Sequence, residues 1–208
     1  MNSQKNLRKS AKNPRHLRER LFPSTIKNTQ VEVILVDASD NPTGTMEKME
    51  AHRQGLLHRA FSVFIFNPSG ALLLQQRAEG KYHSPGLWTN TCCSHPFPGE
   101  DTLTAAHRRL KEELGFTTPL QEIFYFTYRA EFDNGLIEHE YDHVYFGIYK
   151  GMIHPDPAEV NDFDYLTPDE VQVAIDNDPA TFTPWFLIAF PMLRAWLEKN
   201  GSAFFPTK

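Results

Sequence analysis

Two thiols and an imidazole lie almost side by side at Cys92, Cys93 and His95, in the run TNTCCSHP, and two carboxylates flank one residue in EHE at positions 138–140. Together they suggest a metal-assisted acid–base site, in which nitrogen and oxygen donors hold an ion and a thiol and a carboxylate exchange protons. On an extended strand Glu138 and Glu140 point to one face and His139 to the other, the spacing a shared metal requires. Cys92 and Cys93 are the only cysteines, and adjacent cysteines rarely close an unstrained disulfide. With no C-x-x-C present, a zinc knuckle is also excluded. Two readings of the pair remain: one reactive thiol, or two small buried apolar residues.

The elements that must position these residues are legible in the pattern around them. VEVILVD from Val31 reads as a strand ending in the turn chemistry of ASDNPTG. AFSVFIF and ALLLQQR flank NPSG as a second hairpin ending at Arg77. Leu103, Ala106, Leu110 and Leu114 recur at helical spacing between Asp101 and Gly115, with Thr102, Arg109 and Glu113 on the opposite face. Gly115 stands where a left-handed cap belongs. EIFYFTYRAEF and EYDHVYFGIY read as long strands joined through DNGLIEH. One helix is expected after TPDE and another from Pro184, with Thr183 as its cap and Pro191 as a kink. Strands and helices mix without parallel alternation, so the expected class is α+β, a mixed sheet flanked by helices.

The chain has 208 residues, 40% hydrophobic and 23% charged, which suits one compact domain with a substantial core, expected over residues 29–208. No apolar run is long enough to span a bilayer, and no secretory signal is evident, so the expected location is cytoplasmic. The net charge of −5 hides an asymmetry: residues 1–28 carry eight Lys or Arg against the single acid Glu19. That segment lacks aromatic interleaving and an amphipathic stripe, so a solvated, flexible arm is expected, with neither nucleic acid nor membrane as partner. The sequence does not fix the oligomeric state; a monomer is the default expectation.

The segment from Glu100 to Phe116 resembles the Nudix signature G-x5-E-x7-R-E-U-x-E-E-x-G-U, with U a bulky apolar residue: Glu100, Arg108, Leu110, Glu112, Glu113, Gly115 and Phe116 match. Ser94 replaces the first glycine and Arg109 the glutamate of the R-E pair. The lost carboxylate argues against plain pyrophosphate hydrolysis. These departures, with PTGTMEKMEAH, QQRAEGKYHSPGLWTNTCCSHP, RRLKEELG, YRAEFDNGLIEHE and FTPW in the same order, resemble the metal-dependent type I isopentenyl diphosphate isomerases over Val31 to about Trp185.

The resemblance implies a Nudix-like fold and the interconversion of isopentenyl and dimethylallyl diphosphate in isoprenoid biosynthesis, through protonation of an alkene to a tertiary carbocation. It implies Cys93 and Glu140 as the acid and base on opposite faces, with Tyr128 hydrogen-bonded beside Glu140. Glu140 is assigned the protonation and Cys93 the deprotonation, the roles exchanging in the reverse direction. It further implies His52, His58, His95, Glu138 and Glu140 as ligands, a nitrogen and oxygen set suited to Zn²⁺ or Mn²⁺. Glu113 would hold a Mg²⁺ on the substrate diphosphate. Lys48, Arg77, Lys81 and Arg109 would bind that diphosphate, and Trp185 would lie over the cation. His16, His83, His107, His139, His143 and His154 are read as ordinary surface or core residues. Two rivals are a Nudix hydrolase, disfavoured by Arg109, and a non-catalytic regulatory module whose fold and basic arm bind a nucleotide or nucleic acid, which has no use for Cys93 or the His and Glu set.

Overall fold

The strand His58–Phe66 (β3) is apolar on both faces, and the rest of the chain is arranged to cover it. Phe61, Val63 and Ile65 belong to one buried cluster, Phe64 and Phe66 to another. A strand buried on both sides reads as a near-continuous apolar run, as β3 does. The computed structural model describes residues 31–205. The basic segment 1–28, with His16, lies outside them.

Along the chain, β1 (Glu32–Val36) and β2 (Pro42–Glu47) form a hairpin followed by the short helix α1 (Lys48–Gln54). After β3 come β4 (Leu72–Arg77), the short strands β5 (Trp88–Thr89) and β6 (Cys92–Ser94), and α2 (Thr102–Leu114). Then β7 (Leu120–Glu131), β8 (Ile137–Ile148) and β9 (Val160–Leu166) lead to α3 (Pro168–Asn177) and α4 (Pro184–Asn200). β3 pairs in parallel with β8 and antiparallel with β6, and β8 pairs antiparallel with β7. β4 leaves β3 after the hairpin and pairs with β9 and β5. The result is the expected α+β arrangement of a mixed sheet between helices.

α2 covers the face carrying Phe61, Val63 and Ile65, through Ala105, Ala106, Leu110 and Leu114. Leu103, expected on that stripe, is 38% exposed; Ala105 is buried in its place. The Asp101 carboxylate caps the helix by accepting from the Thr104 N–H at 2.9 Å. At its other end Gly115 has φ 78°, and a Cβ there would sit 2.7 Å from the His154 carbonyl oxygen, so glycine is required twice over.

α4 covers the opposite face with Trp185, Phe186, Phe190 and Leu193. Thr183 occupies its N-cap but does not cap it: its hydroxyl bonds Thr89 Oγ1 at 2.9 Å, pinning the helix start to β5. Pro191 lies inside the helix on its exposed side. α3 begins within TPDE, not after it, because Thr167 and Glu170 form a reciprocal capping box.

Five elements are absent from the sequence reading: the short strands β5 and β6, and β2, α1 and β9. The turn expected over ASDNPTG ends at Asn41, where Asp37 Oδ1 accepts from the Ser39 and Asn41 N–H groups, and the chain then resumes as β2. β2 leads into α1, capped by the Glu47 carboxylate. β9 alternates too weakly in hydrophobicity to announce itself, with Asn161, Asp162 and Asp164 among its seven residues.

Candidate active site

Strand register builds the centre of the site. Residues directly opposite on paired strands share a face. His58 on β3 stands opposite Glu140 on β8, and Glu140 in turn stands opposite Tyr128 on β7. Glu138 and Glu140 share a face by alternation. On the other side of β3, Ser62 is paired with Cys93 and Val63 with Cys92. That register decides the fate of the two thiols. Cys92 is fully buried in the cluster beneath α2, whereas the half-buried Cys93 turns to the opposite face.

The imidazoles converge on the Glu140 carboxylate. His95 Nε2 lies 2.8 Å from Glu140 Oε1, and His58 Nε2 lies 3.1 Å from His95 Nε2 and 3.6 Å from the same oxygen. His52 and His58 are fully buried, and their Nδ1 atoms meet the backbone carbonyls of Lys48 at 2.7 Å and Leu56 at 2.8 Å. An Nδ1–H donated to a carbonyl leaves the Nε2 lone pair facing inward, the tautomer a metal ligand needs. His52 Nε2 has no hydrogen-bond partner. His52, His58, His95 and Glu140 thus form a group able to hold a metal ion, and the donor set fits a divalent cation. Glu138 falls in a second such group, with His52 and His83.

Burial lowers the His95 imidazole to about 3, which keeps it neutral. Burial would raise the Glu140 carboxyl, but the His58 and His95 imidazoles beside it outweigh that and hold the group well below the usual carboxylate range. The Cys93 thiol shows the opposite behaviour: burial pushes it up, and the Arg77 guanidinium only partly offsets this. The Tyr128 hydroxyl sits 2.8 Å from Glu138 Oε2 and 2.7 Å from Glu140 Oε2, close enough to give its single proton to either. Burial raises its pKa as well.

These groups line a single cavity. Cys93, His95, Tyr128, Glu138, Glu140 and Trp185 line it together with Lys48, Arg77, Lys81, Ser94, Arg109 and Glu113. Lys48 opens α1 one turn before His52, so one short helix carries both. Burial depresses its pKa, and its Nζ lies 4.8 Å from the centre of the Tyr82 ring. Arg77 is held by the carbonyls of Ser84 at 3.2 Å and His83 at 3.1 Å, with its guanidinium 5.1 Å over Trp185. Trp185 Nε1–H donates to Asn90 Oδ1 at 3.2 Å.

Arg109 Nη2–H donates to Glu113 Oε1 at 2.7 Å, the one-turn pair expected from the sequence, and Gln75 Nε2–H donates to Glu113 Oε2 at 3.0 Å. Glu100, the first acid of the signature, is committed elsewhere: both its oxygens accept from Arg108, at 2.8 and 2.7 Å.

The structure therefore gathers eleven of the thirteen expected site residues around one cavity, with His52 and His58 buried immediately behind it. Sequence reasoning missed three participants. Ser94 lines the cavity. Glu159 accepts from Lys81 and lies 3.2 Å from Arg109, bridging two cations from a loop that carried no motif. His83, read as ordinary, is 4% exposed with Nε2 2.8 Å from Glu138 Oε1. Its place in KYHSPGLW, beside the cationic Arg77 and Lys81, was the only available signal.

Comparison with known proteins agrees with this geometry. The NUDIX domain profile matches residues 56–186. Isopentenyl-diphosphate Delta-isomerase of Pectobacterium atrosepticum is 57% identical over 159 residues, spanning 76% of this chain and 89% of that protein. The protein of the same name from Serratia proteamaculans is 52% identical, over 74% and 87%. Among solved structures, DR0079 from Deinococcus radiodurans superposes with a TM-score of 0.60 at 18% identity, covering 71% of this chain and 90% of that one. A MutT protein from Methanosarcina mazei gives 0.55 at 16%, over 69% and 95%. The fold is shared with these two at identities that carry no further inference. From its NUDIX domain and its close relatives, this chain belongs to the isopentenyl-diphosphate Delta-isomerase family.

Proposed function

We propose that the chain interconverts isopentenyl and dimethylallyl diphosphate by passing a proton from Cys93 to the alkene and taking one from the opposite face with Glu140. One observation carries the reading: the Cys93 thiol, pushed up by burial, and the Glu140 carboxyl, held low by the imidazoles beside it, line one cavity together with Lys48, Arg77, Lys81 and Arg109. The sequence reading gave Glu140 the first protonation. The environments support the reverse order for isopentenyl diphosphate, since a group must hold a proton before it can donate one. Cys93 would protonate the terminal methylene to give a tertiary cation, and the Glu140 carboxylate would remove a proton from the carbon beside the diphosphate-bearing one. Tyr128, within hydrogen-bond reach of Glu140, offers the returning proton a path. Dimethylallyl diphosphate would enter the same cycle from the other end.

Lys48, Arg77, Lys81 and Arg109 would bind the diphosphate, each contact at about 4 Å contributing roughly 4 kcal/mol before desolvation at an effective dielectric near 20. Trp185 would shield the cation, although one part of its ring already faces Arg77. His52, His58, His95, Glu138 and Glu140 would hold a Zn²⁺ or Mn²⁺ ion, which when bound stabilises the ionised Glu140. Glu113 would share a Mg²⁺ with the diphosphate. A monomer in the cytoplasm, without nucleic-acid or membrane partners, completes the reading. Among the described residues no helix is long and apolar enough to cross a membrane.

Cys93→Ala and Glu140→Gln are each expected to lower turnover of isopentenyl diphosphate by about 10²–10⁴-fold while circular dichroism stays native. Either variant turning over near the wild-type rate would remove that residue from the mechanism.

A further inference from the structure

His83 lies outside the ligand set implied by family resemblance, yet the structure treats it like a member. It sits on the loop between β4 and β5, almost fully buried, its ring stacked on Phe132 at 4.8 Å and edge-on to Trp185 at 5.5 Å. Its Nε2 is 2.8 Å from Glu138 Oε1 but makes no hydrogen bond with it, leaving this buried nitrogen without a partner, as His52 Nε2 also is. Donors side by side on an ion with bonds of about 2.1 Å lie about 3 Å apart. The His58–His95, His95–Glu140 and His83–Glu138 separations of 3.1, 2.8 and 2.8 Å all fall near that spacing.

The backbone is also committed to this placement. Ser84, the next residue, has φ 48°, a left-handed conformation that non-glycine residues hold only where their surroundings enforce it. Arg77 supplies the enforcement by donating to the carbonyls of both His83 and Ser84. Turned outward, His83 would satisfy its ring in water at no cost. Instead a strained turn aims it at Glu138.

We infer that His83 is a direct ligand of the metal centre, bringing its donors to six: His52, His58, His83, His95, Glu138 and Glu140. His52 belongs to both potential ion-holding groups, that of His52, His58, His95 and Glu140 and that of His52, His83 and Glu138, and is the donor the two share. A centre filled by six protein donors leaves no position for substrate oxygen. The ion then acts on the chemistry only through the carboxylates it holds, and substrate contacts fall to the cavity side chains. This inference rests on the proposed metal centre but not on the isomerase chemistry.

The test is equilibrium titration of the metal-free full chain with Mn²⁺, followed by electron paramagnetic resonance of the free ion, and with Co²⁺, followed by its ligand-field absorption. Wild type should bind one ion per chain. His83→Gln, which preserves bulk against Phe132, and His83→Ala should weaken Mn²⁺ binding about 10–100-fold and shift the Co²⁺ bands. Free imidazole should restore both properties to His83→Ala, and His107→Ala, remote on α2, should match wild type. Undiminished Mn²⁺ affinity in His83→Gln would overturn the inference. So would weakened binding with unmoved Co²⁺ bands, which would reduce His83 to a support for Glu138, or two ions bound per chain. No isoprenoid enters these measurements. A chain that shows them but does not isomerise would end the functional reading and leave this one standing.

Discussion

The two adjacent cysteines show how far one residue's surroundings decide its chemistry. Strand alternation sends Cys92 into the core beneath α2 and Cys93 into the cavity with Glu140. Cys92→Ala should therefore keep most of the turnover and lose about 1 kcal/mol of stability, measured by denaturant unfolding, through the small cavity it leaves. An activity loss matching that of Cys93→Ala would show the pair acting as a structural unit. His95 makes a separate prediction about pH. Its folded pKa, about 3, lies below the ordinary imidazole value of 6.5, so the unfolded chain takes the proton first. Its contribution to stability is complete above about pH 6.5 and is lost as pH falls toward 3, at up to about 1.4 kcal/mol per pH unit. Glu140, also depressed, loses its contribution only below its ordinary value of 4.5. Metal-free protein should accordingly unfold at lower temperature as pH drops from 7 to 5, and less steeply in His95→Gln. Equal slopes in the two proteins would contradict the neutral buried imidazole.

Among the elements, those with a strong period were legible and those set by tertiary contacts were not. α2, the β3–β4 hairpin, β7 and β8 follow their hydrophobic patterns, and the EHE spacing correctly places both carboxylates on one face. α1 was hidden because seven residues give too little periodicity, and its cap is a glutamate, an uncommon choice. β9 was hidden by its acidic residues. Glu159 and His83 were unreadable for another reason: their partners are far away in sequence, Lys81 and Arg109 for Glu159, Phe132 and Glu138 for His83. Thr183 looked like a cap and is instead a clamp between α4 and β5. Thr183→Val should then destabilise the protein by about 1–3 kcal/mol, because the buried Thr89 hydroxyl loses a partner. An unchanged melting temperature would return Thr183 to a passive role.

The whole molecule divides its labour by face. One core cluster, under α2, carries the signature helix with Arg109 and Glu113; the other, under α4, carries Trp185; residues of both helices line the cavity. Every residue assigned a role follows Val31. Deleting residues 1–27 should leave the turnover number within a few-fold of the full chain, any loss appearing in KM and shrinking as salt rises, since screening acts over about 8 Å at physiological ionic strength. A folded truncation that fails at saturating substrate would assign that segment to the active site. Arg109 stands where the hydrolase signature carries a glutamate, and it is spent on Glu112, Glu113 and Glu159. Double-bond migration without phosphate release is therefore the central claim. Nuclear magnetic resonance of isopentenyl diphosphate incubated with the full chain and Mg²⁺ in deuterated water tests it most directly. The account predicts dimethylallyl diphosphate carrying deuterium in a methyl group, with the diphosphate intact; release of phosphate with the double bond unmoved would contradict it.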